Sequence, residues 1–226
     1  QARCECACYD TMGLTHHVTQ HFQDELHRPA FPYKFKFKFA GCPNDCVASV
    51  ARADMSIIGT WHDDIQIDPK EVATYAKTLD IENDVVDRCP TGCMNWDGKT
   101  LAIDNANCVK CMHCINAMPK ALSPGKDRGA TILLGAKAPI IGGALLSSVL
   151  VPFIKFDEGY DDIYELAEEI WDLWGEHGMN RERVGEFIQR IGMGNFLEQI
   201  GLDPEPEMVS HPRTNPYIFF ELDEEE

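Results

Sequence analysis

The sequence predicts an α+β or α/β fold, layered strands and helices, that carries a cysteine-rich insert. Strand-like and helix-like patterns alternate along the 226 residues, and a segment with five of the ten cysteines interrupts them. The content of 44% hydrophobic and 25% charged residues is typical of a folded globular protein. The net charge of −17 at pH 7 repels nucleic acids and acidic lipid surfaces, so neither is an expected partner.

The first predicted strand has lysines on one face and phenylalanines on the other. Lys34, Lys36 and Lys38 alternate with the three residues Phe35, Phe37 and Phe39. The phenylalanines are expected in the core, and lysines in a sheet usually face solvent. Here, however, the strand runs directly into Cys42-x3-Cys46. Three ammonium groups beside a ligand pair, in an acidic chain, indicate an anionic cofactor or substrate.

The next elements surround the insert. Asp68 as N-cap and Pro69 at the first helical position predict a helix over "DPKEVATYAKTL". After the turn-rich segment 124–129, "ATILLGAKAP" predicts a buried strand. The apolar run 139–154 contains two prolines and is too short to span a bilayer, so we expect it in the core.

Two amphipathic helices are predicted towards the C-terminus. The first follows Asp161-Asp162 and ends at Gly175 or Gly178; the second follows an Asn180 N-cap. Their apolar stripes are Ile163, Leu166, Ala167, Ile170, Trp171 and Trp174, then Val184, Phe187, Ile188 and Ile191. We interpret the two tryptophans as core or subunit contacts.

The insert resembles one half of a two-cluster ferredoxin. Cys108, Cys111 and Cys114 follow the ferredoxin spacing, but Met118-Pro119 stands where a fourth cysteine and its proline belong. In such ferredoxins the cysteine before proline binds the other cluster. Cys89-Pro90 is then the remaining end of a first half-motif, and Cys89 completes one [4Fe-4S] cluster with the three later cysteines.

A structural zinc site is the alternative for the insert. Cys89-x3-Cys93 with Cys108-x2-Cys111 also has finger-like spacing, but zinc leaves Cys114 without a role and does not explain the prolines. The cluster leaves Cys93 as a small buried hydrophobe and His113 without assigned chemistry. Thiolate ligation suits a reducing compartment, which favours the cytoplasm.

A second group of thiolates comes from Cys4, Cys42 and Cys46, one short of a [4Fe-4S] set. Cys6 and Cys8 are interpreted as non-ligands, because ligands this close together in an extended segment would strain the cluster. The missing ligand is expected upstream of Gln1, which makes the chain a fragment.

Several stretches together resemble the α subunits of dissimilatory sulfite reductases, within the sirohaem-containing sulfite and nitrite reductase superfamily. They are "ARCECACYDT", "DELHRPAFPYKFKFKFAGCPNDCVAS", the insert and "PRTNPYIFF", in that order. The resemblance covers nearly the whole chain and implies a sirohaem sulfite reductase-like mixed sheet. The family pattern is C-x5-C followed by C-x3-C. Cys4 matches the second cysteine of the C-x5-C motif, whose first cysteine would lie six positions before Cys4. Cys42 and Cys46 match the two cysteines of the C-x3-C motif.

The resemblance implies six-electron reduction of sulfite towards sulfide, in sulfate respiration. It implies two [4Fe-4S] clusters, one coupled to sirohaem through Cys46 and one in the insert that relays electrons. Lys34, Lys36 and Lys38 would bind the tetrapyrrole carboxylates, orient sulfite and deliver protons. The implied partners are a homologous β subunit in an α2β2 assembly, an external electron donor and a small sulfur-carrier protein.

The resulting domain division is 1–80 and 128–226 for the reductase domain, with a ferredoxin-like insert at 81–127. An assimilatory sulfite or nitrite reductase is the alternative within the superfamily, and the insert weakens it. A ferredoxin-type electron carrier explains the insert but not the lysine strand or the second cysteine group. A zinc-stabilised interaction module explains only the thiolates.

Overall fold

A computed structural model describes residues 4–27, 31–138, 143–156 and 159–203. Its α-helices are α1 (Thr11–His21), α2 (Gln23–His27), α3 (Pro69–Tyr75), α4 (His113–Ala117), α5 (Asp161–His177), α6 (Val184–Ile191) and α7 (Met193–Gln199). Its strands are β1 (Phe37–Ala40), β2 (Met55–Trp61), β3 (Gln66–Ile67), β4 (Met94–Trp96), β5 (Leu101–Ile103), β6 (Leu122–Ser123), β7 (Arg128–Leu134) and β8 (Ser148–Ile154). The segment "PRTNPYIFF" and the start of the apolar run lie outside the described residues.

The main sheet has the strand order β1-β2-β7-β8. β1 pairs with β2 in parallel, and the β2–β7 and β7–β8 pairs are antiparallel. The sheet is therefore mixed, which confirms the predicted α+β class. The chain leaves the sheet after Trp61 and returns at Arg128, and between these points β3 pairs with β6 and β4 with β5. The cysteine-rich segment thus projects from neighbouring ends of two central strands.

One face of the sheet and the helices form the larger core. It contains residues of β2 and β7, of α1 and of the three C-terminal helices, including Trp171 and Trp174. The six apolar residues predicted for the first C-terminal helix are all buried in α5, which ends at the Gly178 C-cap. The core interpretation of both tryptophans is confirmed.

The second C-terminal helix begins later than predicted. α6 starts at Val184 with Arg183 as its N-cap residue, so the Asn180 N-cap was wrong. The Arg183 backbone N–H donates to the Glu186 carboxylate at 2.9 Å, and its guanidinium pairs with Asp54. These contacts, which sequence spacing does not show, decide where the helix begins.

A second core lies under the insert. It joins residues of α3, β4, β5 and α4 to Trp61 and to cysteines of both groups. α3 begins as predicted, because the Asp68 side chain accepts hydrogen bonds from the N–H groups of Lys70 and Glu71. Among the described residues, no helix has the length and apolar character needed to cross a membrane.

Candidate functional site

The five cysteines of the insert line one cavity. They are Cys89, Cys93, Cys108, Cys111 and Cys114, and apolar side chains such as Ile65, Val85, Met94 and Met112 complete the wall. Four thiolates in an apolar pocket are the ordinary ligand set of a [4Fe-4S] cluster. The donor chemistry of this cavity therefore fits such a group.

Backbone turns bring the three later cysteines to the cavity. The Asp104 side chain accepts from the N–H of Ala106 at 3.2 Å and so caps the short turn before Cys108. Lys110 and Met112 have φ of 54° and 70°, in the left-handed region, and reverse the chain between successive cysteines. His113 Nε2 lies 3.2 Å from the Asp84 carbonyl oxygen, so this ring has a structural contact.

Cys89 and Cys93 both reach the cavity, with their Sγ atoms 3.5 Å apart. Burial acts to raise the pKa of the Cys89 thiol, but hydrogen bonds from the N–H groups of Thr91 and Cys93 hold that pKa below its usual value. Burial raises the pKa of Cys93 to about 11. Cys93 is 8% exposed, as a buried hydrophobe should be, yet its position makes it a second candidate for the fourth ligand.

The N-terminal cysteines are brought to the sheet by tertiary contacts. The Cys8 N–H donates to the Gly41 carbonyl at 2.7 Å, and Arg128 Nη1 donates to the Ala7 carbonyl at 3.0 Å. A methyl group on Gly59 would overlap the Gly41 carbonyl oxygen that the Cys8 N–H bonds, so only glycine lets the loop after β1 lie this close to β2.

Cys4, Cys42 and Cys46 form one group of thiols. Burial raises the pKa of Cys42, and the neighbouring Cys4 and Cys46 thiols raise it further. Cys6 lies beside them, and its own pKa is raised by burial and then by Cys4 and Cys42. The Cys42 thiol is thus within electrostatic range of the other two predicted ligands, and Cys6, which was interpreted as a non-ligand, lies near Cys4 and Cys42.

The loop that carries Cys42 and Cys46 is held by Asp45. Its carboxylate accepts from the Ser49 N–H at 2.8 Å, the Ser49 hydroxyl at 2.6 Å and the Val50 N–H at 2.9 Å. Asp45 itself has a φ of 43°. The carboxylate therefore holds the backbone turn that contains Cys46.

The lysine segment is ordered differently from the predicted strand. Lys34 and Lys36 are exposed and precede β1, whereas Phe35 is buried, which confirms the predicted alternation for these three residues. Within β1 the burial does not alternate, because Phe37, Lys38 and Phe39 are all half-buried. Lys38 lies within β1 and its Nζ donates to the Val47 carbonyl at 2.6 Å. That carbonyl belongs to the residue after Cys46, which brings the Lys38 ammonium group next to the cysteine loop.

The same sheet face carries a buried hydroxyl group. Ser56 pairs with Lys38 in the β1–β2 register, and its Oγ has no hydrogen-bond partner among the described residues. Ser56 is fully buried, so its hydroxyl is enclosed by the protein beside Lys38.

A buried ion pair anchors the start of the lysine segment. Arg183 Nε donates to Asp54 Oδ1 at 2.8 Å and Arg183 Nη2 to Asp54 Oδ2 at 2.5 Å, with both side chains almost fully buried. Asp54 Oδ2 also accepts from the Lys36 backbone N–H at 2.9 Å. Because the Lys36 N–H donates to a side-chain carboxylate and not to a backbone carbonyl of a neighbouring strand, β1 begins only at Phe37.

No three Cys, His, Asp or Glu side chains in the described ranges are close enough to bind a single metal ion together. Sequence reasoning missed Asp45, Asp54, Gly59, Arg128 and Arg183. Asp45, inside the C-x3-C loop, carried a signal, because Asp commonly bonds nearby backbone N–H groups. The other four act on residues far away in the sequence, and no local pattern identifies them.

Comparison with known proteins gives a family match. The family profile "Nitrite and sulphite reductase 4Fe-4S domain" matches residues 1–207. The chain is 53% identical over 240 residues to the dissimilatory-type sulfite reductase subunit alpha of Nitratidesulfovibrio vulgaris, covering 99% of the chain and 55% of the relative. It is 48% identical over 224 residues to the corresponding subunit of Allochromatium vinosum, covering 96% and 54%.

The structural comparison agrees with the sequence comparison. The fold superposes on a crystal structure of dissimilatory sulfite reductase I with a TM-score of 0.89 and 53% identity, covering 97% of the chain and 54% of that structure. The dissimilatory-type sulfite reductase subunit beta of Archaeoglobus fulgidus is 27% identical to the chain over 224 residues, covering 97% of the chain and 60% of the relative. The chain thus spans a little over half the length of these proteins.

Proposed function

Because the chain belongs to the nitrite and sulphite reductase 4Fe-4S domain family, we propose that it is part of a dissimilatory sulfite reductase α subunit. The proposed activity is the six-electron reduction of sulfite towards sulfide. One observation carries this proposal: Lys38 Nζ bonds the carbonyl of Val47, beside Cys46, so the lysine segment and a cysteine group meet at one end of β1.

Two [4Fe-4S] clusters are proposed, one for each cysteine group. Cys89, Cys108, Cys111 and Cys114 would hold the first, and their place around one apolar cavity supports this set. Cys4, Cys42 and Cys46 would hold the second with a further ligand, and Cys46 would also bridge to sirohaem. When bound, these groups supply electrons one at a time and the metal centre at which sulfite is reduced.

The three lysines are proposed to serve the anionic cofactor and substrate. Lys34 and Lys36 are exposed, and Lys34 Nζ lies 5.3 Å from the centroid of the Tyr33 ring. From these surface positions their ammonium groups would bind carboxylates or sulfite by charge-assisted hydrogen bonds. Lys38 holds the cysteine loop through Val47 and keeps a positive charge next to Cys46. An ammonium group near bound sulfite can also donate a proton to an oxygen that leaves.

The domain division and the partners follow from the same proposal. Residues 1–80 and 128–226 form the reductase part, and 81–127 form a ferredoxin-like insert that relays electrons from an external donor. The similarity to both alpha and beta subunits supports assembly with a homologous β subunit as α2β2. A small sulfur-carrier protein is the proposed acceptor of the product, and the cytoplasm is the proposed compartment.

The proposal is tested with the full-length α subunit co-expressed with its β subunit. We expect chlorin-like absorption bands, about nine iron atoms (eight in two clusters and one in sirohaem) and about eight labile sulfides per α chain, and sulfite consumption with a reduced viologen as electron donor. A broad cluster absorption without chlorin bands would identify an electron carrier instead. A colourless protein that contains zinc would favour the interaction module.

A further inference from the structure

Two asparagines join the cysteine groups directly. Asn44 Nδ2 donates to Asn116 Oδ1 at 3.0 Å, and Asn116 Nδ2 donates to Asn44 Oδ1 at 2.7 Å. Asn44 lies between Cys42 and Cys46, and Asn116 lies in α4, two residues after Cys114. The pair therefore connects the loop of one proposed cluster to the helix that carries a ligand of the other.

The reciprocal bonding fixes orientation as well as distance. Each amide offers one acceptor oxygen and an NH2 donor, and each here gives one bond to the other and receives one. Both side chains are exposed, so water competes for the same bonds and the pair adds little to global stability. Such a contact contributes little to the free energy of folding, but it can fix the position of α4 relative to the loop of Cys42 and Cys46.

Packing in the core restrains the same loop and helix. Cys42, Trp61 and Cys114 belong to one continuous apolar cluster. Lys110, between two insert cysteines, donates from Nζ to the Trp61 carbonyl at the end of β2. The insert is thus held from below by the core and at the surface by the two amides.

We propose that Asn44 and Asn116 are positioning residues that hold the two cysteine groups at the separation needed for electron transfer between them. This inference rests on the proposed function, in which each group holds a cluster. In each transfer one electron from the external donor passes from the insert group, which is oxidised, to the group of Cys42 and Cys46, which is reduced. No covalent bond forms or breaks. Because such rates fall steeply with distance, a small displacement of α4 would slow the transfer.

The test uses the full-length α subunit in its complex with β. Asn44→Ala, Asn116→Ala and the double variant are compared with Asn83→Ala, which removes another exposed side-chain bond of the insert, 2.7 Å to Asp80. Iron and labile sulfide are counted in each protein. Freeze-quench electron paramagnetic resonance then follows the reduction of the second cluster after rapid reduction of the first.

We expect each single variant to lower the transfer rate about tenfold with unchanged iron content. The double variant should be no slower than either single variant, because each substitution already removes both bonds. Asn44→Asp keeps the acceptor for Asn116 Nδ2 and should be intermediate. Asn83→Ala should match the wild type.

Two outcomes would overturn the inference. An unchanged transfer rate in both alanine variants shows that the pair does not align the clusters. Loss of iron from either group shows that the pair acts in cluster assembly instead. The proposed function is tested separately, on the wild-type complex. Two clusters and sulfite reduction in the wild type support the proposed function, whatever the transfer rates of the asparagine variants are.

Discussion

The two cysteine groups reach their positions by different routes. In the insert, all five cysteines fall between Cys89 and Cys114, and turns within this short segment bring them to one cavity. The other group joins residues near the N-terminus to the loop after β1, and contacts from Arg128 and Gly41 hold it together. A locally encoded group should tolerate changes elsewhere in the fold, whereas a group assembled by tertiary contacts should not.

The largest effect is expected for the cysteines of the insert, which form the locally encoded group. Cys89→Ser should remove its cluster, about half of the iron in the full-length α subunit, because a [4Fe-4S] cluster needs four thiolates. Cys93→Ser should keep the full iron content. Iron and sulfide analysis of the purified variants decides between them. Full iron in Cys89→Ser with loss in Cys93→Ser would reverse the assignment of the fourth ligand.

Gly59 offers the complementary test on the group of Cys4, Cys42 and Cys46, which tertiary contacts assemble. Gly59→Ala should push the Gly41 loop away from β2, and with it the Cys8 segment that bonds the Gly41 carbonyl, since the added methyl overlaps that oxygen. We expect loss of iron from the group of Cys4, Cys42 and Cys46 while the insert cluster stays, as measured by iron content and cluster spectra. Gly175→Ala, where a methyl group meets open space, is the matched control. Equal iron loss from both groups would contradict the difference between them.

The buried ion pair should contribute mainly to stability. Asp54→Asn leaves the Arg183 guanidinium buried without its counter-charge and should lower the free energy of unfolding by about 3–5 kcal/mol. Arg190→Gln, which breaks the more exposed pair with Glu182, should lower it by less. Urea unfolding of the two variants gives both values. Similar costs would mean that burial does not distinguish the two pairs.

The smallest expected effect concerns the lysines. If the three lysines line the anion site as proposed, Lys34→Gln, Lys36→Gln and Lys38→Gln each remove a charge-assisted hydrogen bond of about 1.5–3 kcal/mol. The expected loss is then about ten- to a hundred-fold in sulfite turnover or sirohaem retention. Lys38→Gln should also perturb the assembled group, because its Nζ bonds Val47. Turnover and tetrapyrrole content of the full α and β complex are the measurements. Wild-type values in all three variants would leave the lysines as solvent-facing charges.

Local patterns in the sequence determined much of this protein. The alternation of lysine and phenylalanine, the Asp68 cap and the apolar stripe of α5 all depend on residues within a few positions of each other. The cysteine spacing of the insert is local in the same sense, and the structure places these cysteines around one cavity. Such features are predictable because the backbone period and the short-range hydrogen bonds follow from neighbouring residues alone.

Only the tertiary structure decided the contacts between distant segments. The Asp54–Arg183 pair joins residues 129 positions apart, delays the start of β1 and sets the start of α6. The Asn44–Asn116 pair spans 72 positions. Neither pair leaves a periodic trace in the sequence, because a single asparagine or aspartate fits many local environments equally well. Which partner each side chain meets is determined by the packing of the sheet, the helices and the insert, and becomes known only when the chain is folded.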